Sequence, residues 1–112
     1  MIEVNNENFD IIGNMNTIDG YKTYLIGFVA DLFATMNKSK GNTAYNEEII
    51  DEVADIIMCS YLISKRIGIN YDKIDKRIMD KLKVGLLEEK EVDRQSKDYT
   101  SLINYMRDGR GQ

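Results

Sequence analysis

The residues best equipped for chemistry lie between Asn46 and Asn70, NEEIIDEVADIIMCSYLISKRIGIN, where Glu47, Glu48, Asp51, Glu52 and Asp55 precede a mostly apolar run that ends at Lys65 and Arg66. On a helix, positions three and four apart share a face, so Glu48, Glu52 and Asp55 form one carboxylate stripe. Asp55 falls inside VADIIMCSYLI, where a plain core helix would carry Leu or Ala. A carboxylate there must be hydrogen-bonded, hydrated or bound to a cation, because burying a bare polar or charged group costs roughly several kcal/mol. The affinity of acids for the positive end of a helix dipole explains Glu47 and Glu48. It explains Glu52 poorly and Asp55 hardly at all, and a metal or phosphate site accounts for them better.

A second aspartate stands in a matching context: Val29-Ala30-Asp31 is repeated as Val53-Ala54-Asp55. Two antiparallel helices packed about 8–10 Å apart can aim their acids at one point between them. Asp31 from one helix, with Glu48, Glu52 and Asp55 from the other, would give an all-oxygen cluster. Oxygen ligands without imidazole or thiolate favour Mg²⁺ or Mn²⁺ over zinc. Magnesium held by a few carboxylates keeps positions open for water and phosphate. Such a site suits hydrolysis of a nucleotide phosphoanhydride, and the lysines and arginine of the following segment could meet the rest of a polyphosphate.

Composition narrows the field. At 112 residues, 43% of them hydrophobic, the chain is expected to be one domain, residues 1–112, with a thin core. Thirty per cent charged residues and no proline point to helices. The absence of histidine excludes catalytic triads, histidine bases and histidine zinc sites. A net charge of -4 argues against a nucleic-acid polymer as partner. The single cysteine, Cys59, reads as a buried, inert thiol, which suits a cytoplasmic protein. The acidic start, MIEVNNENFD, does not resemble a signal peptide. Asp31 and Asp55 interrupt apolar runs that fall short of the roughly 18 residues a membrane span needs, so a soluble protein is expected.

The elements that must position the acids follow from periodicity. Residues 1–16 read as an N-terminal arm, with Phe9 to Ile12 as a packing patch broken at Gly13. Thr17 is the expected N-cap of a helix reaching about Asn37, its apolar positions Tyr21, Leu25, Phe28, Val29, Leu32, Phe33 and Met36 stepping by three and four. Gly27 could admit a neighbouring helix closely. A polar linker, Asn37 to Asn46, leads to the acidic helix, which ends where Gly68 suits a left-handed C-cap. Asn70 caps a third helix with Ile74, Ile78 and Leu82 on its apolar stripe. Glu88 to Lys97 reads as a charged link, DYTSLINYM as a short final helix, and residues 108–112 as a frayed tail.

The stretch EEIIDEVADIIMCSYLISKRIGI resembles the MazG-like nucleotide pyrophosphohydrolases, an all-α superfamily marked by Glu-x-x-Glu on one helix and Glu-x-x-Asp on the next. The second mark is intact as Glu52-Val-Ala-Asp55. The first falls on Phe28-Val-Ala-Asp31, where Phe28 replaces the leading glutamate and Asp31 shortens the other. Gly68-Ile69-Asn70 and Lys81 are similar to the family's Gly-Ile-Asp turn and lysine-bearing helix, while Gly85 and Glu88 stand where the family tends to have Asn and Arg. The likeness spans about Tyr21 to Leu87.

The resemblance implies an all-α, MazG-like bundle of about four helices whose core is completed by a homodimer or larger symmetric oligomer. The stripes Phe28, Leu32, Met36 and Met58, Tyr61, Leu62 would supply the apolar surface for that assembly. It implies Mg²⁺ or Mn²⁺ held by Asp31, Glu52 and Asp55, with Glu48 and Glu52 as the catalytic carboxylates and Glu48 as spare ligand or water-orienting base. Lys81 and Lys83 would contact phosphate. The implied reaction turns a nucleoside triphosphate into monophosphate and pyrophosphate, weakened by the degenerate first motif. Two other readings stay open: a non-catalytic nucleotide binder in which Phe28 stacks on a base, and a purely structural helical interaction protein.

Overall fold

The computed structural model describes residues 2–88 and 93–109, with the side chains of 11–88 and 97–109. It contains four α-helices, α1 (Ile2–Ser39), α2 (Asn46–Arg66), α3 (Tyr71–Glu88) and α4 (Asp93–Asp108), with a 3-10 turn at Thr43–Tyr45 before α2. No strand occurs among the described residues, so the all-α expectation holds. The chain forms two compact units, Met1–Ile69 with α1 and α2, and Asn70–Gln112 with α3 and α4.

Helix α1 starts far earlier than the sequence suggests. Gly13 does not break it, and Thr17 does not cap it: the Thr17 hydroxyl donates to the Gly13 carbonyl at 2.9 Å, as Thr23 does to Asp19 at 3.0 Å. Such bonds to the carbonyl four residues back belong to a helix interior. A lone glycine costs only about 1 kcal/mol relative to alanine, and hydrogen bonds of the neighbouring Asn14 tie this part of α1 to α2. Asn14 Nδ2 donates to the Arg66 carbonyl at 3.1 Å, and Arg66 Nη1 donates back to Asn14 Oδ1 at 3.0 Å. This pair satisfies one of the carbonyls that the end of α2 leaves without a helical partner.

The hairpin of α1 and α2 is antiparallel. Asn14 meets Arg66, and seven residues further along α1 the Tyr21 carbonyl accepts from Cys59 Sγ at 3.1 Å, seven residues earlier on α2. Another step of seven sets Phe28 across from Glu52. Among the less exposed residues of α1, Asn14, Ile18, Tyr21, Leu25, Phe28, Leu32, Thr35 and Ser39 follow the same heptad, with Thr17 and Gly20 beside the row. On the other side the row is Tyr45, Ile49, Glu52, Ile56, Cys59 and Ile63. Both rows alternate steps of three and four, the spacing of a coiled-coil seam.

A second apolar stripe on α1 has the same spacing and stays exposed. Phe28 and Leu32 are spent on the seam, whereas Ile26, Val29, Phe33 and Met36 are 73%, 37%, 64% and 52% exposed. On α2 Ile50, Val53 and Ile57 are 56%, 36% and 46% exposed. Lettering the seam a and d, these residues occupy e and b on both helices. Reversing one helix mirrors its order of positions around the seam, so both e positions flank one side and both g positions the other. The exposed stripes therefore form one apolar face. The apolar surface expected from Phe28, Leu32, Met36, Met58, Tyr61 and Leu62 is thus redistributed, because Phe28 and Leu32 are already used. Gly27 lies off the seam, and a Cβ there would meet nothing within 4 Å, so it brings no helix close.

Two turns bound the acidic helix. Lys40 and Gly41 both have positive φ, 44° and 86°, and Asn42 Oδ1 accepts from the Ala44 amide at 2.9 Å. At the other end Gly68 has φ 93°, its amide donates to the Lys65 carbonyl at 3.0 Å, and the Ile69 amide donates to Ser64 at 3.0 Å. This pair of bonds is the Schellman arrangement anticipated from Gly68.

In the second unit Ile74, Ile78 and Leu82 line the less exposed face of α3, as their spacing suggests, and Ile103 of α4 is buried. Gly85 permits the close approach here: a Cβ on it would lie 2.8 Å from Tyr99 Cε2. The charged link expected from Glu88 to Lys97 is helical from Asp93 on, since Arg, Gln and Lys are good helix formers whatever their charge. Residues 89–92 of that link, Met1 of the expected arm and residues 110–112 of the expected tail lie outside the described residues. So do the side chains of 2–10, including Phe9. None of the described helices is long and apolar enough to cross a membrane.

Candidate functional site

Glu52 is the carboxylate that enters the seam. Side chains on a helix lean toward its N-terminus, so Glu52 leans from its level opposite Phe28 toward the turn, and Thr35 leans back to meet it. The Thr35 hydroxyl donates to Glu52 Oε2 at 2.7 Å, and Thr35 is itself buried, at 4% exposure. Glu52 Oε1 is also buried and has no hydrogen-bond partner among the described residues. Buried polar atoms are nearly always satisfied, so an orphaned carboxylate oxygen calls for a water, an ion or a functional explanation.

The other candidate acids lie at g positions, on one side of the same seam. Asp55 is half-buried, one turn after Glu52. It is close enough to Cys59 for its negative charge to add to burial, the larger cause, in pushing the thiol pKa up. Asp31 and Glu48 are exposed on the flank. The repeated Val-Ala-Asp thus has a structural meaning: Phe28 and Glu52 share position d, Val29 and Val53 share e, and Asp31 and Asp55 share g. Phe28 is half-buried in the seam, and its ring stacks on Tyr24 with centroids 6.2 Å apart and planes inclined by 26°.

The donor set is all oxygen, and Glu52 offers an unsatisfied lone-pair oxygen. Among the described residues no three acidic or thiol groups come close enough together to hold a metal by themselves. Magnesium is commonly held by one or two carboxylates, with water and substrate phosphates completing its shell. Glu52 and Asp55 fit that pattern; a closed cage of four carboxylates does not form among the described residues.

The candidate phosphate ligands lie on α3, in the second unit. Lys81 lines a shallow groove of about 440 Å³ with Arg77, Asp80, Val84, Gly85 and Glu88. Lys73, Arg77 and Lys81 follow one another at intervals of four, so they form a basic row along one face. Beside it Lys76 Nζ donates to Asp80 Oδ2 at 3.0 Å. Lys83, two residues beyond Lys81, projects from a different face and does not line that groove.

Sequence reasoning passed over Thr35 and Asn14. The available signal was their place in the heptad: with Ser39 they are the polar residues of a row whose middle reads Ile18, Tyr21, Leu25, Phe28 and Leu32.

The fold and site define an all-α protein built on an antiparallel hairpin with carboxylates in and beside its seam. The chain belongs to the MazG-like family, whose model matches residues 11–99. No curated protein matches it, and no solved structure does.

Proposed function

We propose that this chain binds a nucleoside triphosphate together with Mg²⁺ or Mn²⁺ and hydrolyses it weakly to monophosphate and pyrophosphate. One observation carries the reading: in a MazG-like chain, the glutamate of the intact Glu-x-x-Asp motif is held on one oxygen and has no partner among the described residues on the other. Glu52 and Asp55 hold the ion in this reading, and Asp31 adds charge from α1. Glu48, one turn before Glu52, orients a water. On the second unit, the row of Lys73, Arg77 and Lys81 is a separate candidate for phosphate contact. The bound ion would polarise phosphate oxygens and make an attacking water more acidic.

The test is a panel of nucleoside and deoxynucleoside triphosphates with each metal, assayed for binding and pyrophosphate in parallel. Metal-dependent binding and slow pyrophosphate release are expected, both lost in Asp55→Asn. Absence of nucleotide binding at any metal concentration overturns the proposal in favour of a structural helical protein. A second reading, a non-catalytic nucleotide binder, is favoured by Phe28, which stands across from Glu52 in place of a second glutamate. Binding without pyrophosphate selects it.

The same reading includes self-association through the apolar face of the hairpin. Both helices bring Ile and Val to that face, joined by Phe33 and Met36, so two copies can pair it isologously. A homodimer in a cytoplasmic setting is expected, and Phe33→Lys with Ile57→Lys should yield a monomer by light scattering. A monomeric wild type at micromolar concentration would overturn the assembly.

A further inference from the structure

We infer that Thr35 is a positioning residue for the metal-binding carboxylate of Glu52. The inference rests on the proposed metal site and extends it to a residue outside either acidic motif. Three observations support it. Thr35 occupies a seam position, and the others in its row between Ile18 and Leu32 are apolar. Its hydroxyl is turned to Glu52 Oε2 at 2.7 Å, a short bond of the charge-assisted kind. The remaining oxygen, Oε1, is buried with no hydrogen-bond partner among the described residues.

A glutamate has three side-chain torsions to restrain before its carboxylate can serve as a ligand. Packing between two helices restrains the stem, and the hydroxyl fixes the rotation of the carboxylate by taking one oxygen. The division of labour follows from the valences. Oε2 is occupied by a donor, and Oε1 keeps its lone pairs for a cation. A threonine is suited to this task because its branched Cβ leaves few rotamers in a helix. Alone, the hydroxyl could instead bond the carbonyl four residues back, as Thr17 and Thr23 do. That Thr35 turns across the seam distinguishes it from the other two.

The experiment compares wild type, Thr35→Val and Thr35→Ser by Mn²⁺ titration calorimetry and by melting curves in chelator. Valine keeps the shape and removes the hydroxyl; serine restores the hydroxyl with one methyl fewer. Loss of a residue that orients a metal ligand typically weakens metal affinity about 10–100-fold, and a loss in that range is expected for Thr35→Val. Thr35→Ser should return most of the affinity even where its melting temperature falls below that of Thr35→Val. That ordering, affinity following the hydroxyl and stability following the methyl, is one that a merely structural threonine would not produce. Unchanged Mn²⁺ affinity in Thr35→Val overturns the inference while leaving the metal site standing. Equal weakening in Thr35→Val and Thr35→Ser also overturns it, by making the methyl the important group. Absence of Mn²⁺ binding in the wild type overturns the metal site and this inference together.

Discussion

Replacing Glu52 by methionine should reverse the order of stability with and without metal. In chelator the wild type carries a buried carboxylate oxygen that has no donor among the described residues. An unsatisfied buried polar atom costs about 1–3 kcal/mol, and more when charged. Against this, the bond from Thr35 to the carboxylate stabilises the wild type by about 1.5–3 kcal/mol. Methionine removes both effects, and the freed Thr35 hydroxyl can bond the Asp31 carbonyl four residues back. Its unbranched stem fills a glutamate-sized space with apolar atoms, a gain of about 1 kcal/mol on transfer values for a methylene. The balance favours Glu52→Met by about 1 kcal/mol, equivalent to about 4 °C in melting temperature for a domain of this size. Adding Mn²⁺ at a hundred times its dissociation constant should raise the wild type by about 2.7 kcal/mol and leave Glu52→Met where it was. Thermal melts by circular dichroism in chelator and in Mn²⁺ measure all four values. Equal response of the two proteins to Mn²⁺ refutes Glu52 as a ligand. A Glu52→Met protein melting well below wild type in chelator refutes the claim that the carboxylate is a liability to the hairpin.

Two further outcomes follow from other parts of the chain. Gly85→Ala should destabilise the second unit by about 1–3 kcal/mol, the usual cost of overpacking, because the added Cβ would lie 2.8 Å from Tyr99 Cε2; combining it with Tyr99→Leu should recover part of the loss in urea melts. The Cys59 thiol, pushed up first by burial and then by Asp55, should resist alkylation at pH values where an exposed cysteine reacts. Because its folded pKa is raised, its contribution to stability is complete below the unfolded pKa and lost as pH rises through the folded one. Asp55→Asn should make alkylation faster at a given pH, and an unchanged rate would show that the carboxylate does not act on the thiol.

The acidic helix was legible because local and tertiary signals agree there. Its periodicity, the glycine at its C-terminal turn and the charged ends mark the same boundaries, and the Schellman bonds at Gly68 satisfy them. The start of α1 was not legible, because Gly13 and Thr17 are ambiguous locally and the contact that decides between helix and cap is with Arg66, 52 residues away. The two apolar stripes of α1 could not be separated either. Phe28 with Leu32 and Val29 with Phe33 have the same spacing, and only the partner helix determines which pair is covered. For the site, spacing placed the acids on one helix face but could not say which enter the seam. That depends on heptad register, which is fixed once Asn14, Tyr21 and Thr35 have their partners on α2.

The register also gives the departure at Phe28 a physical meaning. Position 28 stands across the seam from Glu52, and a glutamate there would set two carboxylates against each other between packed helices. Without a cation, like charges at close range disfavour each other's ionised form, and burial adds a second penalty. A hairpin with glutamate at both positions would therefore depend on metal for its stability. Phe28 removes that dependence: it fills the seam, stacks on Tyr24, and leaves Glu52 as the lone carboxylate at that level. In the proposed site the same substitution would remove a ligand and leave more of the ion's shell to water and phosphate. Stability of the metal-free hairpin and affinity for the free ion thus pull in opposite directions at this position. The chain has settled on the first, with Glu52 kept in the seam and Asp55 beside it on the flank away from the apolar face. The proposed pairing through that apolar face would leave the flank of Asp31, Glu48 and Asp55 uncovered.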